Sequence, residues 1–211
     1  MKKRILITGS NGLLGQKLVE LLRTQANVDL IATARGANRL PVTDGYTYAS
    51  LDITVLEEVN AIFDQFKPEV VIHTAAMTNV DTCETDRAGC DLLNVDAVAY
   101  LIQACEKHGT YLCHLSTDFI FDGADGPYTE EGKANPISYY GESKLKAEQL
   151  LFDSSIRWSI ARTVLVYGIV PDMSRSNIVL WVKKSLEDGK TIQVVTDQFR
   201  TPTLAEDLAM G

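Results

Sequence analysis

A short apolar strand that runs straight into three spaced glycines and then into a helix leaves a chain few ways to fold. Arg4-Ile5-Leu6-Ile7-Thr8 is β-branched and apolar, and Gly9-Ser10-Asn11-Gly12-Leu13-Leu14-Gly15 follows it directly. Leu14, Leu18, Leu21 and Leu22 then recur at helical spacing. Gly9 permits a sharp strand-to-helix turn, a bare Gly12 lets backbone approach a ligand, and a bare Gly15 lets the helix pack on the strand. The spacing is one residue longer than the G-x-G-x-x-G dinucleotide fingerprint, yet the same amides at the helix start would meet a pyrophosphate. On this motif alone, glycines that only make a tight turn remain the alternative.

The rest of the chain repeats the strand–helix alternation. Strands are expected at 29–33, 46–51, 70–73, 111–115 and 158–163, with helices at 55–66, 94–107 and 138–152 between them. Val70-Val71-Ile72 is apolar throughout, as a strand buried on both faces should be. The expected fold is therefore α/β, a Rossmann-type doubly wound parallel sheet. Residues 1–168 form the NAD(P)-binding domain in this reading. Residues 169–211, with a helix at 178–186, a strand at 191–195, a polar loop at 197–202 and a helix from Leu204, form a small and incomplete substrate-binding lobe.

Composition narrows the class. Net charge is −8, from 20 basic and 28 acidic residues, and no basic run exceeds Lys2-Lys3-Arg4, which argues against a nucleic-acid partner. No apolar run reaches the ~18 residues of a membrane span. Cys83, Cys90, Cys105 and Cys113 lack metal-ligand spacing and read as reduced thiols of a cytoplasmic protein.

Ligand-facing residues should gather where the strands end. The second strand ends in Thr33-Ala34-Arg35, with Arg39 close behind and no carboxylate to hold a ribose 2′-hydroxyl. A basic residue there accommodates a 2′-phosphate, so NADPH is expected, with NADH the alternative. Asp52-Ile53 lies where an acid can meet an adenine amino group, although Asp52 or Thr54 could equally cap the next helix. His73 reads as a packed side chain; the small Ala75 and Ala76 beyond it admit a ligand. Tyr140 and Lys144 stand one helical turn apart on one face, with Ser138 the expected N-cap. An ammonium within ~4–6 Å would lower the phenol's pKa and fit it for proton transfer.

Thr8-Gly9-x-x-Gly12-x-x-Gly15, Asp52, Ser116-Thr117-Asp118 and Tyr140-x-x-x-Lys144 fall in one order, and with them the chain resembles the extended short-chain dehydrogenase/reductase family. The resemblance implies that Thr117 or Ser116 polarises a substrate oxygen, Tyr140 is the acid/base, and Lys144 binds the nicotinamide ribose and tunes the tyrosine. It implies cofactor contacts from Gly9, Ser10, Asn11, Gly12, Leu13, Gly15, Arg35, Asp52, Ile53, Ala75, Ala76, Tyr140 and Lys144. Within the family, Ser116 to Gly123, the Ala75-Ala76-Met77-Thr78-x-Val80-Asp81-x-x-Glu84 run and Asp197-Gln198-Phe199-x-x-Pro202-Thr203 are similar to the branch that reduces nucleotide-linked 4-keto-6-deoxy sugars. Thr78, Val80, Asp81, Glu84, Ser116, Thr117, Asp118, Phe119 and Gln198 are the substrate-binding residues this implies. Related dehydratases carry Asp-Glu after the threonine; Asp118-Phe119 here supplies no second proton carrier, which favours simple hydride delivery. Leu165 replaces an aromatic expected near the sugar. A nucleotide-sugar epimerase or another keto-sugar reductase is the alternative enzyme, and a dinucleotide-binding regulatory subunit the alternative of another class. The resemblance is compatible with a homodimer.

Overall fold

The computed structural model describes residues 2–172 and 177–211. Strand β1 (Lys3–Thr8) is followed by helix α1 (Leu13–Leu22), β2 (Val28–Ala34), β3 (Thr47–Ser50), α2 (Leu56–Phe66) and β4 (Val70–His73). Next come the short helices α3 (Val80–Thr85) and α4 (Arg87–Asp91), a π-helical turn (Leu92–Asp96) and α5 (Ala97–His108). Strand β5 (Tyr111–Thr117), helix α6 (Tyr139–Phe152) and β6 (Trp158–Thr163) complete the sheet. Its six strands are all parallel, in the order β3-β2-β1-β4-β5-β6.

That order reverses direction between β1 and β4. The connections from the two strands leave toward opposite faces, so a crevice opens beyond their carboxyl ends. The register sets Thr8 beside His73, so the glycine turn after β1 meets Thr74 and Ala75 after β4. The sheet is sealed by Leu6, Val71 and Leu112, each 0% exposed, packed with Val59 and Phe63 of α2 and Leu101 of α5. Each such side chain contributes about 1.5–3 kcal/mol on burial.

Beyond the sheet, β7 (Val166–Tyr167) pairs with β8 (Thr203–Leu204); α7 (Ile178–Glu187) lies between them and α8 (Ala205–Met210) follows. The strand expected at 191–195 does not form. Val194 and Val195 are 58% and 62% exposed, and without a partner strand β-branched residues gain nothing from extension. Within the 75–84 run, Val80–Thr85 form the helical turn α3, capped by Asn79, whose side chain accepts from the Thr82 amide. Helix α8 returns to the main body: Ala205 is fully buried, and Lys17 of α1 pairs with Glu206 at 3.1 Å. Among the described residues no helix is long and apolar enough to cross a membrane, and no cluster suits a metal ion. None of the four cysteines is in a disulfide.

Candidate active site

A groove of about 280 Å³ runs over the crevice, lined by Gly9, Gly12, Ala34, Arg35, Leu51, Asp52, Ile53, Thr74, Ala75, Ala76 and Leu93. The structure thus brings together seven of the expected cofactor residues. Gly9 has φ +72, and a Cβ on it would sit 2.7 Å from the Ala75 amide, so only glycine fits. Gly12 is the N-cap of α1 and offers no side chain to its first amides. The positive end of the helix is therefore open toward the groove that Gly12 lines.

The other expected cofactor residues have different tasks. Gly15 is a packing glycine: a Cβ there would lie 2.2 Å from the Gly9 carbonyl oxygen. Ser10 is buried, and its Oγ has no partner. Asn11 works as a clasp, donating from Nδ2 to Ala37 O at 2.9 Å and accepting at Oδ1 from the Arg39 amide at 3.0 Å. Leu13 opens α1 and reaches toward Gly168. Arg35 is open, its side chain 84% exposed and 3.8 Å from Asp52. Arg39 is not open: it donates to Asp172 Oδ2 at 2.6 Å and to Asp172 O at 2.9 Å. Asp52 does not cap α2, whose N-cap is Val55; its Oδ1 accepts from both the amide and the hydroxyl of Thr54.

Helix α6 begins as expected, with Ser138 Oγ accepting from the Gly141 amide at 3.2 Å. Gly141 is required there, because a Cβ would lie 2.2 Å from Phe119 O. Tyr140 is buried beside Thr117 and edge-on to Phe119 with ring centroids 5.5 Å apart. Thr117 accepts from the Phe119 amide and donates to Asp118 Oδ1 at 3.2 Å.

Lys144 was expected to lower the Tyr140 phenol; its hydrogen bonds go to β5. Burial pushes the phenol up to about 12, opposed by the Thr117 hydroxyl, and nearby Asp118 adds to the rise. Lys144 is buried and turned to the sheet, donating to Leu115 O at 2.7 Å and hydrogen-bonded to His114 Nε2 at 3.1 Å. Burial pulls its pKa down to about 8, against the attraction of Glu148.

Among the expected substrate residues, Asp118, Phe119 and Gln198 meet through Arg200, which the sequence did not point to. Arg200 Nη1 donates to Asp118 Oδ2 at 2.8 Å, its Nη2 to Gln198 Oε1 at 3.2 Å, and its guanidinium lies 4.7 Å from the Phe119 ring centroid. The 197–202 loop is thereby latched to the carboxyl end of β5. Glu84 has both oxygens engaged, accepting from the Tyr139 amide at 2.6 Å and from Arg87 at 2.9 Å, so it fixes the start of α6. Val80 opens α3 and packs near Tyr140; Asp81 is exposed beside it, and Thr78 lies in the preceding connection. Ser116 is buried, its Oγ without a partner.

Asn94 was also missed. Buried in the π-helical turn, it holds Met77 through both main-chain groups and donates to Ser143 Oγ at 3.0 Å, tying the β4 connection to α6. An asparagine between Leu92-Leu93 and Val95 was the available signal, and π turns gather at functional sites.

A doubly wound sheet with a glycine turn at its switch point, and a tyrosine and lysine on the helix entering its last strand, define an α/β protein of the extended short-chain dehydrogenase/reductase class. A family profile described as RmlD substrate binding domain matches residues 2–211, and the chain belongs to that family. It is 34% identical over 207 residues to a dTDP-4-dehydrorhamnose reductase of Aggregatibacter actinomycetemcomitans, covering 98% of this chain and 65% of the relative. It is also 30% identical over 207 residues to the methionine adenosyltransferase 2 subunit beta of Bos taurus, covering 98% of this chain and 60% of that one. The chain thus spans less than two thirds of the length of these relatives. A crystal structure of dTDP-4-dehydrorhamnose reductase from Bacillus anthracis in complex with NADP superposes with a TM-score of 0.84 at 32% identity, covering 100% of this chain and 69% of that one.

Proposed function

We propose that this chain carries the cofactor side and catalytic helix of an NADPH-dependent reductase acting on the 4-keto group of a nucleotide-linked 6-deoxy sugar, the reaction of dTDP-L-rhamnose formation. Residues 1–168 serve the cofactor, and 169–211 belong to the substrate lobe. The observation that carries this reading is the buried Tyr140, beside Thr117, on the same sheet edge as a groove whose turn requires glycine at position 9. The 34% identity to the reductase relative and the NADP complex of the structural neighbour support it.

The residues fit the cofactor. The glycine cradle admits a pyrophosphate at the open start of α1, Asp52 and Ile53 flank the adenine end, and the exposed Arg35 suits a 2′-phosphate. NADPH supplies a hydride when bound. Thr117 orients the substrate carbonyl oxygen, and Tyr140 gives its proton to that oxygen as negative charge develops there. Phe119, packed against Tyr140, keeps water from the phenol. Lys144 holds its charge in the same wall.

Tyr140→Phe removes one hydroxyl and keeps the ring. NADPH binding should survive, while NADPH oxidation with a dTDP-4-keto-6-deoxy sugar falls by about 10²–10⁴, the usual worth of general acid help. Unchanged turnover would refute the assignment and favour the second reading, a dinucleotide-binding regulatory subunit, for which the likeness to methionine adenosyltransferase 2 subunit beta is the specific support.

A further inference from the structure

Four buried polar side chains form a row that runs from β1 to the catalytic helix, and the mechanism above uses only the last. Thr8 Oγ1 and His73 Nδ1 are hydrogen-bonded at 2.7 Å. The His73 ring stacks on His114, with centroids 5.3 Å apart and planes inclined by 26°. His114 Nε2 meets Lys144 Nζ at 3.1 Å, while His114 Nδ1 is buried with no partner. His73 is 2% exposed, His114 0% and Lys144 2%.

We propose that His114 is the positioning residue of Lys144: locked as the neutral Nδ1–H tautomer, it accepts one ammonium proton at Nε2 while Leu115 O accepts a second, leaving one N–H for the site. An ammonium has three donors and no acceptor, so Nε2 must present its lone pair and the ring proton must sit on Nδ1. The opposite tautomer would set N–H against N–H. A protonated ring would place two cations in one dry row. Burial and the charge of Lys144 both hold His114 well below its ordinary value, and His73 is held down to about 3 for the same two reasons. One positive charge therefore resides in the row, on Lys144. The other titratable groups around it are Cys90 on α4, Tyr140 one turn earlier and Glu148 one turn later, itself paired with Arg162 of β6.

The sign of the effect follows. An acceptor for the charged form favours that form, so His114 opposes the burial that lowers Lys144. The task given to Lys144 rests on the function proposed above; the hydrogen-bond assignment does not. The test is NMR of protein carrying lysine labelled with ¹³C at Cε, with the Lys144 signal assigned by its loss in Lys144→Met. In the parent it should titrate near 8. In His114→Leu the midpoint should fall by about one pH unit, as loss of one charge-assisted hydrogen bond requires. His114→Gln, whose Oε1 can take the place of Nε2, should restore most of the shift. A merely structural role would lower Tm in both variants and leave the midpoint in place, which overturns the proposal. If His114→Leu does not fold, ¹⁵N shifts of the parent's imidazoles decide: a bare Nε2 supports the assignment and a protonated Nε2 rejects it. No step uses sugar or cofactor, so a protein that passes while failing to oxidise NADPH keeps this inference and loses the catalytic reading.

Discussion

Replacing Glu148 by glutamine should destabilise the protein well beyond a surface substitution. Glu148 is 0% exposed on α6, and its carboxylate takes a forked pair from Arg162 of β6, at 3.1 Å from Nε and 2.7 Å from Nη2. Arg162 Nη1 continues to Glu130 O at 2.8 Å, and its guanidinium lies 5.6 Å from the Phe121 ring centroid, so one arginine joins helix, sheet and the 121–130 segment. Glutamine keeps the volume and one acceptor, but it removes the charge and turns a donor toward a donor. Breaking a buried ion pair costs about 3–5 kcal/mol, and since the Arg162 side chain keeps 23% exposure the lower end applies. At ~2–4 °C per kcal/mol for a domain of this size, 3 kcal/mol lowers Tm by about 6–12 °C. Calorimetry measures this directly, and the double variant Glu148→Leu with Arg162→Met should recover much of the loss because no charge is left unpaired. Glu148 also raises the pKa of Lys144, so the lysine in Glu148→Gln should titrate lower than in the parent. A Tm within about 2 °C of the parent would refute the reasoning, since it would mean that water already screens the pair.

Arg35→Ala should weaken NADPH several-fold and leave NADH unchanged by fluorescence titration, because Arg39 is committed to Asp172 and cannot substitute. Gly9→Ala forces a Cβ to 2.7 Å from the Ala75 amide at φ +72, and should cost about 1–3 kcal/mol in urea melts along with NADPH binding. His73 is held down to about 3 in the fold against an ordinary 6.5, so the unfolded chain binds its proton first as pH falls. Its contribution is complete above 6.5 and lost toward 3. Between pH 6.5 and 5 the His73 share of the loss is about 2 kcal/mol, at ~1.4 kcal/mol per unit, and urea melts at several pH values should show a slope that His73→Leu reduces, with the share of His114 remaining.

What the sequence made legible was local. Val70-Val71-Ile72 had to be a buried strand, and Gly9 and Gly15 had to be bare, because the physics of each lies within a few residues. The same habit misled at 191–195, where the β-branched run is as strong but no strand lies beside it. Helix α6 and its Ser138 cap were readable; what Lys144 touches was not. Spacing placed Lys144 on the face of Tyr140, yet its partners come from β5, thirty residues earlier. Arg39 looked as available as Arg35 until a carboxylate 133 residues away claimed it. Arg200 gave no signal at all, since its partners are Asp118 and a phenyl face brought there by the return of the chain.

The two pKa values at the site bear on the protonation states from which the proposed reaction starts. With the phenol at about 12, the phenolate fraction at pH 7 is about 10⁻⁵, so oxidising an alcohol would begin from a form of Tyr140 that is almost never present. Reduction makes the opposite demand. The oxygen left by hydride arrival is a stronger base than a phenolate, and a neutral tyrosine is already in the state that donates to it. Lys144, near 8, is mostly charged at neutral pH and steadies negative charge in the site without giving up its own proton. Its two hydrogen bonds to β5 anchor that charge to the sheet. A neutral tyrosine as donor and a charged lysine held by β5 are therefore compatible with the proposed reduction.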